Sequence, residues 1–219
     1  MRARKKKHGA ERIAACAHLL IEDPTVLAAD PQVRFTEKRP LHLEIGCGKG
    51  NFACGMAAAH PDVNFIAMER VADVACLALE KAEAAKESRP DNLRFLIGNA
   101  ENLVEWFPPH SIDCLYLNFS DPWPKARHAK RRLTYRDMLE RFKNLLSEKG
   151  KIEFKTDNRD LFDFSLVEFE ESGYVLENVT FDLHASEWAE DNIVTEYEAN
   201  FSAKGFKINR LEAHLPDKS

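Results

Sequence analysis

The sequence lacks several features that would assign it to a particular class of protein. No apolar run approaches the length needed to span a membrane, and no charged-then-apolar leader resembles a signal peptide. The five cysteines are odd in number and show no CxxC spacing, which argues for reduced thiols and against a zinc site. We therefore expect a cytoplasmic protein with no membrane segment and no metal.

Glycine is also scarce, at nine in 219 residues, yet three glycines fall within residues 46–50. No GKS or GKT follows at the spacing of a P-loop, and the third glycine of a dinucleotide GxGxxG motif would fall at Asn51. Such a loop can still bring backbone amide donors close to a ligand. Glu44 beside it would repel a pyrophosphate but could pair with a cationic amino-acid group. A cofactor without phosphates fits this segment best.

The charge is unevenly distributed, although the formal net charge is only -5. Residues 1–7 carry five Lys or Arg residues and no acid, and residues 125–136 carry six, again with no acid. The rest of the chain is acidic. Two basic patches on an acidic body could bind a polyanion locally. The alternative is that such runs are solvated faces, which is an equally good interpretation of residues 1–7.

Strands and helices alternate from residue 41 onward, which predicts one α/β domain over residues 41–219. Residues 1–40 are predicted to be a basic N-terminal extension with a helix that packs on or near this domain. The predicted strands are 41–45, 65–68, 93–97, 112–118, 151–156, 174–183 and 208–215. The predicted helices are 10–22, 51–60, 71–87, 101–107, 134–149 (stopped by Gly150) and 159–172. The alternation indicates a mostly parallel, seven-stranded sheet with helices on both faces.

Polar residues follow several of the predicted strands, at the edge of the sheet where parallel strands bind ligands. Glu69 could accept hydrogen bonds from both ribose hydroxyls, or be a surface charge beside Arg70. Asn99 could offer its amide to an adenine edge, or cap the next helix. Together with the glycine loop they are typical of an S-adenosylmethionine site. The predicted cofactor-binding residues are Glu44, Gly46, Gly48, Glu69, Asn99 and Asp121.

Residues 115–135, LYLNFSDPWPKARHAKRRLTY, place a carboxylate, an aromatic ring and a cationic run at a strand end. Asp121 lies in a loop that Pro122 and Pro124 keep from forming helix or sheet. Trp123 could stack on a base or belong to the core. This combination suits a nucleobase held above a sheet, with its phosphates bound alongside.

Four segments carry a resemblance to a known family: EIGCGKG, NFSDPWPKARHAKRRLTY, FKTDN at residues 154–158 and TEYEANFSAKG at residues 195–205. From the glycine loop to its end, the chain resembles the bacterial tRNA (guanine-N7)-methyltransferases, which are class I methyltransferases with a Rossmann-like domain. The resemblance implies methyl transfer from S-adenosylmethionine to N7 of a guanine in the tRNA variable loop, leaving S-adenosylhomocysteine.

The resemblance also implies roles for individual residues. It identifies Asp121 as the proposed active-site residue bordering the cofactor, and Lys125 as a substrate-contacting lysine. The implied tRNA-contacting residues are Arg127, His128, Lys130, Arg131 and Arg132. The segment of Thr195, Glu196, Tyr197 and Glu198 has the form of a capping box and would close over the guanine, with Glu196 or Glu198 reading the donor edge of the base. Asp157 follows the fifth strand, where it could contact substrate, cap the next helix, or do both.

The chemistry agrees with this assignment. Guanine N7 carries a lone pair and no proton, so no general base is needed and no histidine is assigned that role. Positioning of the reactants and stabilisation of the charge that moves onto the purine would supply the rate. Asp121 suits that task, but it could also accept from the guanine N1–H, touch the cofactor amine, or only cap a turn.

Two other functions stay open at this point. One is a class I enzyme that methylates an exocyclic amine of a nucleic acid, since residues 118–123 loosely resemble the proline-rich loop of such enzymes. The other is a catalytically idle protein that only binds tRNA. Both a monomer and a homodimer are compatible with the sequence.

Overall fold

A single eight-stranded sheet runs through the described part of this computed structural model, residues 7–88 and 90–216. Its strands are β1 (Leu20–Ile21), β2 (Leu41–Ile45), β3 (Asn64–Glu69), β4 (Leu93–Ile97), β5 (Ile112–Asn118), β6 (Leu146–Thr156), β7 (Val175–Thr180) and β8 (Asn209–His214). Their spatial order is β1-β4-β3-β2-β5-β6-β8-β7. Strand β8 is antiparallel to both neighbours, and the other adjacent pairs are parallel. The predicted α/β class and mostly parallel sheet are confirmed.

The helices lie between these strands and are mostly short. They are α1 (Gly9–Ala14), α2 (Asn51–Ala59), α3 (Ala72–Ala84), α4 (Leu103–Trp106), α5 (Arg136–Leu145), α6 (Arg159–Glu171) and α7 (Glu196–Ser202). Among the residues that the structure describes, none of these helices is both long enough and apolar enough to cross a bilayer.

Side chains that alternate along the strands build two apolar cores, one on each face of the sheet. Leu115 and Leu117 of β5 belong to the first core, with residues of α4, α5 and α6. Cys114 and Tyr116 of the same strand belong to the second, with residues of α2 and α3. Helices therefore cover both faces, as predicted.

The sheet order reverses between β2 and β5. From β2 the chain continues outward through β3 and β4, and it then returns to β5 and β6 on the other side of β2. Loops leaving the carboxyl ends of β2 and β5 therefore diverge, which opens a crevice at this point of the sheet. The Gly46–Gly50 loop and the loop that begins at Phe119 border it.

The predicted number of strands was wrong, because the N-terminal extension contributes β1. Residues 10–22 were predicted to be one helix, but α1 ends at Ala14 and Leu20–Ile21 pairs in parallel with β4. The side chains of Leu20 and Ile21 are both buried, and their backbone covers an edge that β4 would otherwise expose. Helix α1 packs on α3, where Arg12 donates two bonds of 2.6 Å to Glu80. Residues 1–6, most of the first basic run, lie outside the described residues.

The predicted helix end at Gly150 was also wrong. Helix α5 ends at Leu145, and Gly150 lies within β6, beside a shift in the register between β5 and β6. A Cβ at Gly150 would lie 2.8 Å from the carbonyl oxygen of Ile112. The glycine is therefore required by close strand packing and not by a helix terminus.

Candidate active site

The glycine loop after β2 has the backbone conformation and the open space that a ligand-bordering loop needs. Gly46 and Gly48 have φ angles of 82° and 56°, in the left-handed region that favours glycine. The amides of Gly46 and Cys47 donate to the carbonyl of Met68, at 2.8 and 2.9 Å, which holds the loop against the end of β3. A Cβ added at Gly46 or Gly48 would meet nothing within 4 Å. The loop therefore faces open space.

A buried carboxyl group with an unused oxygen lies beside this loop. Glu44, on β2, is only 5% exposed, and its Oε1 accepts from the Asn118 amide at 3.1 Å. Neither Glu44 Oε2 nor Asn118 Oδ1 has a hydrogen-bond partner in the described part of the chain. Burial raises the pKa of Glu44 to about 7, although the Asn118 bond and Lys155 oppose this. A cationic group at this position would satisfy the free oxygen and favour the ionised form.

Glu69 ends β3 and Asn99 follows the end of β4, as predicted, and each also has a structural role. Glu69 accepts from the amide of Gly48 at 3.1 Å and from that of Val71 at 2.9 Å, so it is not simply a surface charge. Asn99 caps the 3-10 turn at Ala100–Asn102, with its Oδ1 3.5 Å from the Glu101 amide. The cap considered for Asn99 is therefore present.

Most of these residues meet at a cavity of about 590 Å³, which lies in the size range of small-molecule sites, although Glu44 and Gly48 are not among the residues that line it. Its walls bring together Gly46, Glu69, Asn99, Asn118 and Asp121. Trp123 also lines it, as do residues 130–133 of the cationic segment, which comprises residues 125–136. Residues predicted to hold a small cofactor and residues predicted to contact a polyanion thus line the same cavity.

The loop after β5 is held in a strained conformation. Phe119 and Trp123 have φ angles of 52° and 41°, which bulky residues rarely adopt. Such strain costs about 1–3 kcal/mol per residue and persists only where the surroundings enforce it. Asp121 lies between them with its carboxylate exposed. Trp123 is half-buried, with the Arg131 guanidinium 4.9 Å from its ring centroid and the His128 ring 5.8 Å away.

The cationic segment after this loop divides into two groups. Lys125, Arg127 and Lys130 are exposed, and they form no ion pair with the described residues. Arg132 instead donates to the carbonyls of Pro122 and Trp123, at 3.0 and 3.1 Å.

Arg136, at the start of α5, is likewise committed within the protein. It donates to both carboxylate oxygens of Glu168 and to Glu171, and these bonds raise its pKa. Fewer cations of residues 125–136 are therefore free to bind a polyanion than the six that the sequence contains.

Asp157 lies after β6 at the same edge of the sheet, and burial raises its pKa. It was considered as a possible cap for α6, which is wrong. The cap is Asn158, whose Oδ1 accepts from the Leu161 amide at 2.7 Å. The Asp157 carboxyl is thus not needed to begin the helix. Tyr197 lies near enough to Asp157 for that charge to contribute to its raised pKa, after the larger effect of burial.

The predicted capping box of α7 is confirmed. Thr195 Oγ1 accepts from the Glu198 amide at 2.9 Å, and Glu198 Oε2 accepts from the Thr195 amide at 3.3 Å. Glu196 pairs with Lys49 of the glycine loop at 2.6 Å. The Tyr197 ring lies 5.0 Å from that of Phe119. The segment predicted to close over the substrate therefore contacts both loops that border the cavity.

Glu198 is fully buried, and its two carboxylate oxygens are engaged within the protein. They accept from Lys155 at 3.0 Å, from Asn192 at 2.6 Å and from His184, whose Nε2 lies 2.7 Å away. Burial alone would raise its pKa, but Lys155, with the bonds from His184 and Asn192, outweighs burial and lowers it. Of the two acids suggested as readers of the base, Glu196 is therefore the more accessible.

Sequence reasoning missed Asn118, Lys155 and the partners of Glu198. Lys155 carried a signal, because it is a charged residue inside the predicted strand 151–156. A lysine at such a position needs a buried partner. Asn118 and Asn192 had no such signal. No group of three His, Cys, Asp or Glu side chains in residues 7–88 and 90–216 could hold a metal ion.

Comparison with known proteins first defines the class. An antibiotic-related methyltransferase superposes with a TM-score of 0.59 over 98% of this chain and 97% of its own, at 16% identity. The 30S ribosomal A1408 methyltransferase from an uncultured bacterium does so with a TM-score of 0.57 over 98% of this chain and 97% of its own, at 13% identity. The fold is that of the class I methyltransferases. A family model described as a putative methyltransferase matches residues 38–211.

Closer relatives define the family. The tRNA (guanine-N(7)-)-methyltransferase of Limosilactobacillus reuteri (strain DSM 20016) is 47% identical over 98% of this chain and 100% of its own length. The protein of the same name from Lysinibacillus sphaericus (strain C3-41) is 46% identical over the full length of both. The chain belongs to the tRNA (guanine-N(7)-)-methyltransferase family, and the predicted resemblance is confirmed.

Proposed function

We propose that this protein transfers the methyl group of S-adenosylmethionine to N7 of a guanine in the variable loop of tRNA, leaving 7-methylguanosine and S-adenosylhomocysteine. The observation that carries the proposal is the shared cavity, where the glycine loop, Glu69 and Asp121 meet the cationic segment in a chain of this family. Since tRNA is the substrate, the proposal places the enzyme in the cytoplasm.

The residues present fit the cofactor. The unpartnered Oε2 of Glu44 suits a cationic ammonium group, and the open space above Gly46 and Gly48 suits the amino-acid moiety. Glu69 at the end of β3 would accept from the ribose hydroxyls, and Asn99 would contact the adenine edge. When bound, the cofactor supplies an electrophilic methyl group on a sulfonium.

Asp121 is the proposed catalytic residue. The N7 lone pair forms the new bond to carbon as the carbon–sulfur bond breaks, and positive charge moves onto the purine. An exposed carboxylate on a loop with two prolines can stabilise that charge without reorganising. The guanine gives up no proton at N7, so Asp121 need not act as a base.

Guanine recognition is assigned to residues beside the cavity, in the loops after β5 and β6 and at the start of α7. Asp157 and Glu196 have carboxylate oxygens that could accept from the N1–H and amino group of the base, and Lys125 could donate to its O6. Thr195 and Glu198 form the buried cap that holds this segment, and Tyr197 offers an aromatic ring for stacking beside Phe119.

The cationic segment is proposed to bind the tRNA backbone. Arg127, Lys130 and Arg131 have exposed side chains and lie directly after the loop of Asp121, with half-buried His128 between them. Their contacts with phosphates would fix the register of the RNA without reading its sequence.

A methyl-transfer assay with labelled cofactor and unmodified tRNA tests the proposal. The product is then treated with borohydride and aniline, which cleave the chain at 7-methylguanosine. Cleavage at one variable-loop guanine is the expected result. Label without cleavage would move the target to another atom, such as an exocyclic amine. Bound tRNA without label would indicate an idle tRNA-binding protein.

A further inference from the structure

The two prolines of the loop Asp121–Pro124 restrict its backbone, but they cannot donate hydrogen bonds that would fix the loop to the rest of the protein. Pro122 and Pro124 have no N–H group, and the loop lies outside any helix or strand. Trp123 is nevertheless held at a φ angle of 41°, a conformation that must be enforced from outside. The position of Asp121 therefore depends on contacts made by residues elsewhere.

Arg132 supplies these contacts. Its Nε donates to the carbonyl oxygen of Pro122 at 3.0 Å, and its Nη2 donates to that of Trp123 at 3.1 Å. The same guanidinium lies 4.2 Å from the ring centroid of Phe164 on α6. One planar group thus joins two consecutive loop carbonyls to a helix of the core.

The neighbouring cations differ from Arg132 in this respect. Arg127 and Lys130 are exposed, whereas Arg132 is only partly exposed. Arg131 lies against the Trp123 ring and so connects the exposed cations to the same loop. Arg132 therefore stands at the boundary between the surface that would contact RNA and the loop that carries Asp121.

We propose that Arg132 is a positioning residue that holds the loop of Asp121, and that it is not a ligand of a tRNA phosphate. This inference rests on the proposed function, because the loop is positioned for methyl transfer. Arginine is required at this position, since a lysine ammonium has neither the planar fork for two carbonyls nor the flat face that packs on Phe164.

The test compares Arg132→Gln and Arg132→Lys with two reference variants. Arg127→Gln removes a proposed phosphate contact. Arg39→Gln is the matched control, because Arg39 also donates to a proline carbonyl, that of Pro61 at 2.6 Å, but lies before β2 at the opposite end of the sheet. For each protein, kcat is measured at saturating tRNA, and the tRNA dissociation constant is measured at several salt concentrations.

We expect Arg132→Gln to lower kcat by about 10- to 100-fold, because small displacements of a reacting group are costly. The slope of log K against log salt should stay at the wild-type value. Arg132→Lys should recover only part of kcat. Arg127→Gln should reduce the slope by about 0.7–0.9, the loss of one phosphate contact. Arg39→Gln should change neither quantity.

The inference is overturned if Arg132→Gln reduces the salt slope as Arg127→Gln does while keeping kcat, or if Arg132→Lys is fully active. Should Arg132→Gln fail to fold, the lysine variant carries the same comparison. If the wild-type protein methylates no tRNA, the proposed function fails. The role of Arg132 in holding the loop is then measured by the rate at which trypsin cleaves the chain after Lys125. Faster cleavage in Arg132→Lys than in Arg39→Gln would still support the anchor, and equal rates would refute it.

Discussion

Lys155 and Glu198 form a buried ion pair, with Nζ and Oε2 3.0 Å apart and side chains that are 6% and 0% exposed. The pair joins β6 to the first turn of α7, the helix whose Tyr197 contacts Phe119 at the edge of the cavity. Lys155 also donates to Asn192 and to the carbonyl of Ile193. A single lysine thus connects the sheet to the segment proposed to close over the guanine.

Removing one partner of this pair should be strongly destabilising. Lys155→Met leaves the Glu198 carboxylate buried without its cation, which costs about 3–5 kcal/mol. Lys49→Met is the control, since it breaks the exposed pair with Glu196 and should cost less than about 1 kcal/mol. Urea unfolding measures both. Equal losses in the two variants would contradict the importance assigned to the buried pair.

The same pair predicts how stability depends on acid. Because the folded-state pKa of Glu198 is lowered, its contribution is fully present above its ordinary pKa of 4.5 and is lost as the pH falls through the folded value. Glu198→Gln should therefore weaken the dependence of unfolding free energy on pH below about 4.5. The comparison is made by denaturant unfolding between pH 3 and pH 7. A Gln variant with the wild-type acid dependence would rule out this group as its source.

Glu44 should behave in the opposite way. Its folded-state pKa is raised from 4.5 to about 7, so the ligand-free protein loses stability as the pH rises through that window. The shift corresponds to about 3 kcal/mol. Glu44→Gln should therefore raise the melting temperature of the ligand-free protein at pH 8. A lower melting temperature would mean that the ionised carboxylate is stabilised by the protein itself.

Cofactor binding should show the complementary effect. The ionised form of Glu44 attracts the cofactor ammonium, so affinity should rise as the pH increases toward about 7 and then level off. Below that pH, binding should release a proton, which calorimetry at pH 6 in buffers of different ionisation enthalpy detects. Glu44→Gln should weaken binding and abolish the proton release. Binding that is independent of pH in the wild-type protein would remove Glu44 from the ammonium site.

Asp121 should matter for the rate and not for RNA affinity. Asp121→Asn keeps the size of the side chain but removes the charge, and we expect kcat to fall by about 100-fold or more. The tRNA dissociation constant should change little. Asp62→Asn is the control, because Asp62 is an exposed acid just before β3, at the amino end of the strands. An unchanged kcat for Asp121→Asn would exclude it from catalysis.

The exposed cations should account for the salt dependence of tRNA binding. Reversing Arg127 and Lys130 to Glu removes two proposed phosphate contacts, so the slope of log K against log salt should fall by about 1.4–1.8. Lys149→Glu is the matched charge reversal, on an exposed lysine in the first part of β6 and far from the carboxyl ends of the strands. If Lys149→Glu weakens tRNA binding as much as the reversal of Arg127 and Lys130 does, the overall charge of the protein and not a local contact would explain the affinity.

The features that the sequence predicted correctly depend on residues close together in the chain or on the order of the strands. The glycine loop, Glu69 and Asn99 were located by the order of strands and by residue types with strong backbone preferences. The capping box of Thr195 and Glu198 was visible because its two members are three residues apart. In each case the relevant partner lies nearby in sequence, or its position follows from the parallel sheet.

The remaining features depend on partners that have no sequence signature. Arg132 was grouped with the RNA-contacting cations because its partners are backbone carbonyls. Every residue has a backbone carbonyl, so the sequence does not show which ones an arginine will bind. Strand β1 has only two residues, and it forms by pairing with the edge of β4, which lies 75 residues further along the chain. The burial of Glu198 depends on Lys155, which lies 43 residues earlier. Such distant pairings follow from tertiary packing alone.

The central claim concerns one atom, N7 of a guanine in tRNA. The most direct measurement uses two tRNAs that differ only at the variable-loop guanine, one natural and one with 7-deazaguanine, which has a carbon in place of N7. We predict label from the cofactor in the natural tRNA and none in the 7-deaza tRNA, with both binding equally. Equal labelling of the two tRNAs would contradict methyl transfer to N7.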